Sequence, residues 1–428
     1  MAKNLLNKVC VFSFSLIILG LTSCLKKDDA IYPKTPTPVK TETTVDDIIK
    51  KDTSFNIFQQ IGADTASKTK FYYDYDNLNI NNIGRGWQGC PSIGIYKGRL
   101  YAAFMASGTG ETPGGYIMVT TSEDMGETWT EFRMAIAYAT PTGRTFDPLF
   151  WNDKYGALHL SWTGSEGFWD GSKGGAWSVR IKTVKDKLVI TKPEFLFHGV
   201  MNTKPIPLEA DSSQMLMPVE GWNVTGTTLS GYQVTPTLTD INGILLYKSG
   251  YNPATKQMLP PNKFAKVPTN FVRTFDEPSV VSLDANNMVC LSRSEVSGTV
   301  ISRSTDGGNT WSTQSLFKDV GATAAGRVYF GRLKSGNLLL ILNNSTSREK
   351  MTAFLSTDQG KTWPYKLLID ARMGSSYPDV IQNSTDDICM VYDWARGAPN
   401  GNIIFAKFNE QTLIKGGPIS KTIISKLR

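Results

Sequence analysis

Arginine and carboxylate side chains recur in this chain at fixed spacing: Arg144-Thr145-Phe146-Asp147 and Arg273-Thr274-Phe275-Asp276 are two copies of one tetrapeptide. A guanidinium can grip a planar carboxylate through forked hydrogen bonds and a carboxylate can carry a proton, so such a set suits acid–base work on an anion; the same pair could equally fix a loop. Glu277 directly follows the second copy, and Gln88, Lys204, Asp379, Asp393 and Arg396 add polar groups at comparable places. Metal chemistry is not signalled. The only histidines are His159 and His198, and the five cysteines show no paired ligand spacing, so no cofactor is expected. The 45 Lys and Arg against 38 Asp and Glu leave a charge of +7, with no dense basic block beyond the first residues, which argues against a nucleic-acid partner.

The elements that must position these groups announce themselves by repetition. Ser-x-Asp-x-Gly-x-Thr-Trp occurs three times, as Ser122 to Trp129, Ser304 to Trp311 and Ser356 to Trp363. Each copy reads as a hairpin turn: the Asp accepts amides just beyond it, Gly supplies positive φ and Trp packs the next strand. The pattern is the Asp-box, and its recurrence resembles the sialidase-type β-propellers, in which the boxes are structural. Short Val/Ile/Leu-rich runs, 38 Gly and no long 3.6-residue period agree with antiparallel sheet. A polar turn and apolar run follow Pro91, Pro148, Pro205, Pro278 and Pro378, while one opening near Val328 lacks the proline. The expected fold is therefore all-β: a six-bladed β-propeller of four-stranded antiparallel blades beginning near 90, 147, 204, 277, 328 and 378. Residues from Lys70 to Tyr75 and from Ile403 to Phe408 are expected to share the sixth blade and close the ring.

The resemblance becomes specific in the C-terminal half. Glu277-Pro278-Ser279 leading to Arg293 looks like the family's catalytic Glu and one arginine of its carboxylate clamp, Arg348 ahead of the last box looks like another, and Ser376-Tyr377-Pro378-Asp379 resembles the segment with the tyrosine nucleophile. The resemblance implies a retaining hydrolase in which Glu277 takes the Tyr377 proton, because a neutral phenol avoids the repulsion an anionic nucleophile would meet from a sugar with a carboxylate on its reacting carbon. The N-terminal half departs from the family. Its first blade opens with Arg-Ile-Pro, but here Gly89-Cys90-Pro91 stands there, so one clamp arginine is missing. Arg85 lies close enough in sequence to substitute, and Glu111 occupies the place of the family's general-acid Asp. Arg144 and Asp147 are further substrate-binding candidates. Trp87, Trp151, Trp162, Trp222 and Trp394 could stack on sugar or pack between blades.

The N-terminus carries an address. Lys3 and Lys8 precede an apolar run from Val9 to Leu21 that is short for a membrane span, and Leu21-Thr22-Ser23-Cys24 resembles the bacterial lipobox. The reading is a signal peptide over 1–23, lipidated Cys24 and a Pro/Thr/Lys-rich tether over 24–50, and the propeller over 51–428, displayed on the outer membrane, with the acidic tag of Lys26-Lys27-Asp28-Asp29 resembling that of surface lipoproteins. Cys90, Cys290 and Cys389 sit in apolar runs and read as buried small hydrophobes. The expected function is release of a terminal acidic sugar, sialic or a related 2-keto or uronic sugar, from a glycan partner by a monomer; a glycan-binding protein without turnover and a propeller lyase are the alternatives.

Overall fold

The computed structural model describes residues 55–56, 63–73, 84–184, 187–296 and 298–427. The signal peptide, Cys24 and the tether lie outside the described residues.

Among the described residues, six antiparallel blade sheets follow one another along the chain, each running outward from a central axis, with a separate two-stranded hairpin, Thr228–Leu229 paired to Tyr232–Gln233. Blade 1 comprises Trp87–Tyr96, Arg99–Ser107, Tyr116–Ser122 and Met134–Tyr138, with Thr69–Tyr72 and Ala63–Asp64 added at its outer edge. Blade 2 comprises Arg144–Asn152, Leu158–Ser165 and Gly175–Val184; both Lys187–Thr191 and Glu194–His198 pair with its third strand, and Phe55–Asn56 adds to the former. Blade 3 is Ile206–Leu208, Asp211–Gly221, Gly243–Ser249 and Asn262–Val267; blade 4 is Ser279–Ser282, Met288–Ser294, Gly298–Ser304 and Ser315–Leu316. Blade 5 is Tyr329–Arg332, Leu338–Asn343, Met351–Ser356 and Tyr365–Asp370; blade 6 is Ser375–Gln382, Ile388–Trp394, Asn402–Phe408 and Ser420–Lys426. The six-bladed architecture agrees with the sequence reading.

Ring closure differs from that reading. Ile403 to Phe408 belongs to blade 6, but the segment containing Lys70 pairs with Met134–Tyr138 in blade 1, in the register Phe71 to Ile136. The outer place in blade 6 is filled by Ser420–Lys426. Phe71 is buried among Ile136, Trp162 and Val179, so its own hydrophobic partners hold this strand at the seam of blades 1 and 2. The seam of blades 1 and 6 closes instead by hydrogen bonds, among them the Ile93 amide to Asp379 Oδ2 at 2.8 Å, and by packing. Trp129 lies 5.5 Å from Phe405, and a Cβ on Gly126 would meet the Phe405 ring at 2.1 Å, so only glycine fits this first box.

All three boxes end a third strand, which by antiparallel alternation is the end of the blade opposite the opening of its first strand. Their turns match: Thr128, Thr310 and Thr362 amides each donate 2.9 Å bonds to the Asp two residues after the box serine. Threonine hydroxyls, the same amides and the box serines hold those three carboxyls down to about 2. The boxes are thus structural and lie away from the opening where the polar groups gather.

At that opening, four inner strands share a device. Cys90, Asp147, Glu277 and Tyr377 each precede a proline and each has positive φ, at 52°, 46°, 44° and 55°. In blades 1, 2 and 6 the register slips across this point, as a bulge does. A non-glycine residue in this region costs about 1–3 kcal/mol, which surrounding structure must offset, and such strain gathers at functional sites. Below it the axis is cross-braced. Lys204 Nζ donates to Ile93 O, Phe150 O and Asp379 Oδ2 at 2.8, 2.6 and 2.7 Å, and Arg327 donates to Asn202 O and Pro91 O at 3.0 Å each. These bonds tie blades 1, 2, 3, 5 and 6 beneath the site.

Candidate active site

Two places in a blade reach the open end of the axis: the start of the first strand and the connection from second to third strand. The candidate residues come from both. Asp147, Glu277 and Tyr377 stand at first-strand openings; Glu111, Arg293, Arg348 and Arg396 stand at or beyond the ends of second strands. All seven line one cavity of about 430 Å³, together with Trp87, Cys90, Phe168, Glu220, Trp222, Ser230 and Phe275.

Tyr377 is at its centre. Its hydroxyl donates a short hydrogen bond to Glu277 Oε1, and it accepts from Arg293 Nη1 at 3.3 Å and Arg348 Nη2 at 3.5 Å. Burial and the Glu277 charge push the phenol well above its ordinary value, against the pull of Arg348, Arg293 and Arg396. Burial alone would raise Glu277, yet Arg293, the Tyr377 hydrogen bond and then Arg348 and Arg327 bring it below the usual carboxylate value. In the resting protein the proton therefore stays on the tyrosine, with an ionised acceptor in contact. This is a general-base pair that transfers its proton only as another bond forms.

The strained Glu277 backbone has an identifiable clamp. Glu220 Oε2 accepts the amides of Asp276 at 2.5 Å and Glu277 at 2.9 Å, while Oε1 accepts Asn202 Nδ2 at 3.0 Å and Trp222 Nε1 at 3.2 Å. Burial and the neighbouring Glu277 charge push Glu220 up, to about 8, and the hydrogen bond from the Glu277 amide opposes that rise. Sequence reasoning passed over Glu220 because blade 3 carries no box and no local motif marks it. Arg327 was also passed over, although it precedes Val328 in the slot that Cys90, Asp147, Glu277 and Tyr377 fill in their blades.

The remaining candidates separate. Asp147 faces the cavity with no side-chain hydrogen-bond partner among the described residues, and burial pushes its carboxyl up to about 7 against the pull of Arg327. Glu111 lies at the mouth, its side chain 41% exposed and paired to Arg396 Nη1 at 3.2 Å. Arg144 does not line the cavity: it lies beneath it, with its guanidinium 3.9 Å from the Phe168 ring and 4.1 Å from Phe146, and Nε donating to Phe168 O. Arg85 is also outside the lining, donating to Lys426 O at 3.3 Å on the seam of blades 1 and 6. Of the tryptophans, Trp87 and Trp222 reach the cavity, whereas Trp151 and Trp162 are fully buried. Cys90, Cys290 and Cys389 are free and buried.

The family model of the BNR repeat-like domain matches residues 98–390. No curated protein sequence matches the chain. Among solved structures, a Hadza microbial sialidase superposes with a TM-score of 0.57 at 13% identity, over 77% of this chain and 66% of that one. A Dyadobacter fermentans protein of unknown function gives 0.54 at 18% identity, over 74% and 93%. Trypanosoma rangeli sialidase in complex with sialic acid gives 0.50 at 14% identity, over 75% and 54%. This chain thus spans 66% of the first structure's length and 54% of the last, and at these identities the likeness is one of fold.

Proposed function

The chain belongs to the BNR repeat-like family and folds as a sialidase-like propeller, and from that premise we propose that it is an exo-acting, retaining glycoside hydrolase that releases a terminal acidic sugar from glycans. The observation that carries this reading is the hydroxyl of Tyr377, which donates to Glu277 and accepts from Arg293 and Arg348. A binding protein has no need of a buried phenol aimed at an ionised base.

The position of the arginines narrows the substrate. A carbon bonded to Tyr377 Oη brings a carboxylate attached to that carbon within reach of both guanidinium groups, whereas a uronic acid carries its carboxylate across the ring from its reacting carbon. The arrangement therefore favours a 2-keto acid sugar. In the first step Tyr377 Oη bonds to the anomeric carbon, its proton passes to Glu277, and the glycosidic oxygen departs with a proton from Glu111 at the mouth. In the second step water attacks the anomeric carbon and gives its proton to Glu111, now ionised, while the bond to Tyr377 Oη breaks and Glu277 returns its proton to the phenolate, so both carboxyl groups regain their starting states. Two inversions give retention. The trypanosomal sialidase of similar fold holds sialic acid, which is consistent with this class.

Lipidation at Cys24 with display on the outer membrane belongs to the same proposal, since an enzyme trimming polymeric glycans must meet them outside the cell. The test of function is release of monosaccharide from a panel of acidic glycans by the lipid-free protein. Wild type is expected to release a 2-keto acid sugar and folded Tyr377→Phe none. Unchanged turnover in Tyr377→Phe removes the mechanism.

A further inference from the structure

The turn that carries the base does not owe its shape to its own residues. Arg144 to Asp147 and Arg273 to Asp276 have the same four residues, yet the first copy lies in the inner strand Arg144–Asn152 and the second lies outside any strand. We propose that Glu220 and Glu295 are positioning residues that mould the second copy around their carboxylates, and so set Glu277 against Tyr377 before a substrate arrives. This deepens the acidic-sugar reading above and rests on it.

Three observations carry the inference. The first is that two carboxylates take four consecutive amides. Glu295 Oε1 accepts those of Thr274 and Phe275 at 3.3 Å each, and Glu220 Oε2 accepts those of Asp276 at 2.5 Å and Glu277 at 2.9 Å. In a sheet a neighbouring strand accepts such amides; here side chains do. The second is that the carbonyls are matched as well. Those of Val272, Thr274 and Asp276 accept the amides of Glu295, Asn223 and Arg293 at 2.9, 2.9 and 2.7 Å, and Arg273 O accepts Asn223 Nδ2 at 3.1 Å. These donors all stand at or beyond the ends of the second strands of blades 3 and 4, so the two blades hold the turn between them. The third is the cost of Glu220. It is 1% exposed, its four hydrogen-bond donors are neutral, and it forms no ion pair among the described residues. A buried carboxyl without a cation does not favour folding, whereas holding Glu277 at a φ of 44° gives it a task at the site. Asn202 Nδ2 and Trp222 Nε1 fix the plane of the Glu220 carboxylate from its other side. The turn so held brings Glu277 Oε1 to both the Tyr377 hydroxyl and Arg293 Nη1. Misplacing such a pair by about 1 Å costs on the order of a hundredfold in rate.

Glu220 decides the matter, because Glu295 also pairs with Arg293 and its removal would disturb anion binding directly. Glu220→Ala should lower kcat on an aryl glycoside of N-acetylneuraminic acid by about a hundredfold. Its affinity for 2-deoxy-2,3-didehydro-N-acetylneuraminic acid, read by titration calorimetry, should stay near wild type, since that ligand needs the arginines and not the proton transfer. Glu220→Gln should recover most of the lost turnover: one oxygen still accepts both amides, and Asn202 can turn its unpartnered Oδ1 to the new amide group. Should Glu220→Ala not fold, Glu220→Met, which fills the space, and Glu220→Gln decide in the same way. Wild-type kcat in Glu220→Ala, equal losses in the Ala and Gln variants, or a parallel fall of kcat and inhibitor affinity each overturns this inference. If Tyr377→Phe is inactive in the same assay, the proposed function stands whatever Glu220 does; if Tyr377→Phe turns over like wild type, or wild type does not turn over, both fall.

Discussion

Arg348 separates ligand binding from folding better than any other residue of the cavity. Its guanidinium donates to Ala325 O at 3.3 Å and to the Tyr377 hydroxyl at 3.5 Å, and it forms no ion pair with a carboxylate among the described residues. Arg293, by contrast, pairs with Glu277 at 3.4 Å and Glu295 at 2.7 Å, so its removal strands two carboxylates. Truncating one partner of a buried charge pair costs about 2–5 kcal/mol. Arg348 is only half-buried, which places Arg348→Ala near the lower end, about 2 kcal/mol or roughly thirtyfold in Kd. Because the free protein loses no ion pair, its melting temperature should hardly move, whereas Arg293→Ala should lower both stability and affinity. The assay is titration calorimetry with 2-deoxy-2,3-didehydro-N-acetylneuraminic acid and, as a neutral control, galactose at one ionic strength, beside thermal melts. Equal binding of the anion by wild type and Arg348→Ala, or galactose bound as tightly as the anion, would refute the reasoning.

Further outcomes follow from the same geometry. Glu111→Gln should slow release from natural glycans by about a hundredfold, the scale of a general acid, and barely affect an aryl glycoside whose phenol leaves unaided; equal losses would exclude Glu111 as proton donor and turn attention to Asp147. Asp147 holds its proton up to about pH 7 when folded and only to about pH 4 unfolded, so between those values the native state binds the extra proton and stability falls as pH rises, by at most about 4 kcal/mol. Asp276 and Glu220 shift in the same direction. Asp147→Asn should therefore flatten part of the melting profile and melt above wild type at pH 8, and a lower melting point there would contradict the assignment. Cys24→Ala should leave the membrane fraction, and retention at the wild-type level would end the lipoprotein proposal.

Much of the scaffold was legible because its signals are local. The boxes marked third-strand ends in blades 1, 4 and 5, and the proline-led openings located five inner strands. Thr69–Tyr72 was misplaced because an alternating strand fits any sheet edge, and its blade was chosen by the distant partners of Phe71. In the site, Glu277, Arg293, Arg348 and Tyr377 were found together through their motifs, and the fold brings all four to one cavity. Arg396 and Glu220 carry no such mark. The room for Arg396 is set by a missing side chain at Gly89, in another blade, and Glu220 acts on the backbone of Asp276 and Glu277, which only the assembled ring brings near. Arg85 and Arg144 show the converse: proximity in sequence to the site did not bring their charges into the cavity.

The central claim, that Tyr377 forms a bond to the anomeric carbon of an acidic sugar, is tested most directly by trapping that bond. Intact-mass and peptide analysis after incubation with 2,3-difluorosialic acid should show one added sugar per chain on the peptide containing Tyr377, and none on Tyr377→Phe. An unmodified wild-type protein that nevertheless hydrolyses sialosides, or a label on any residue other than Tyr377, would contradict the account.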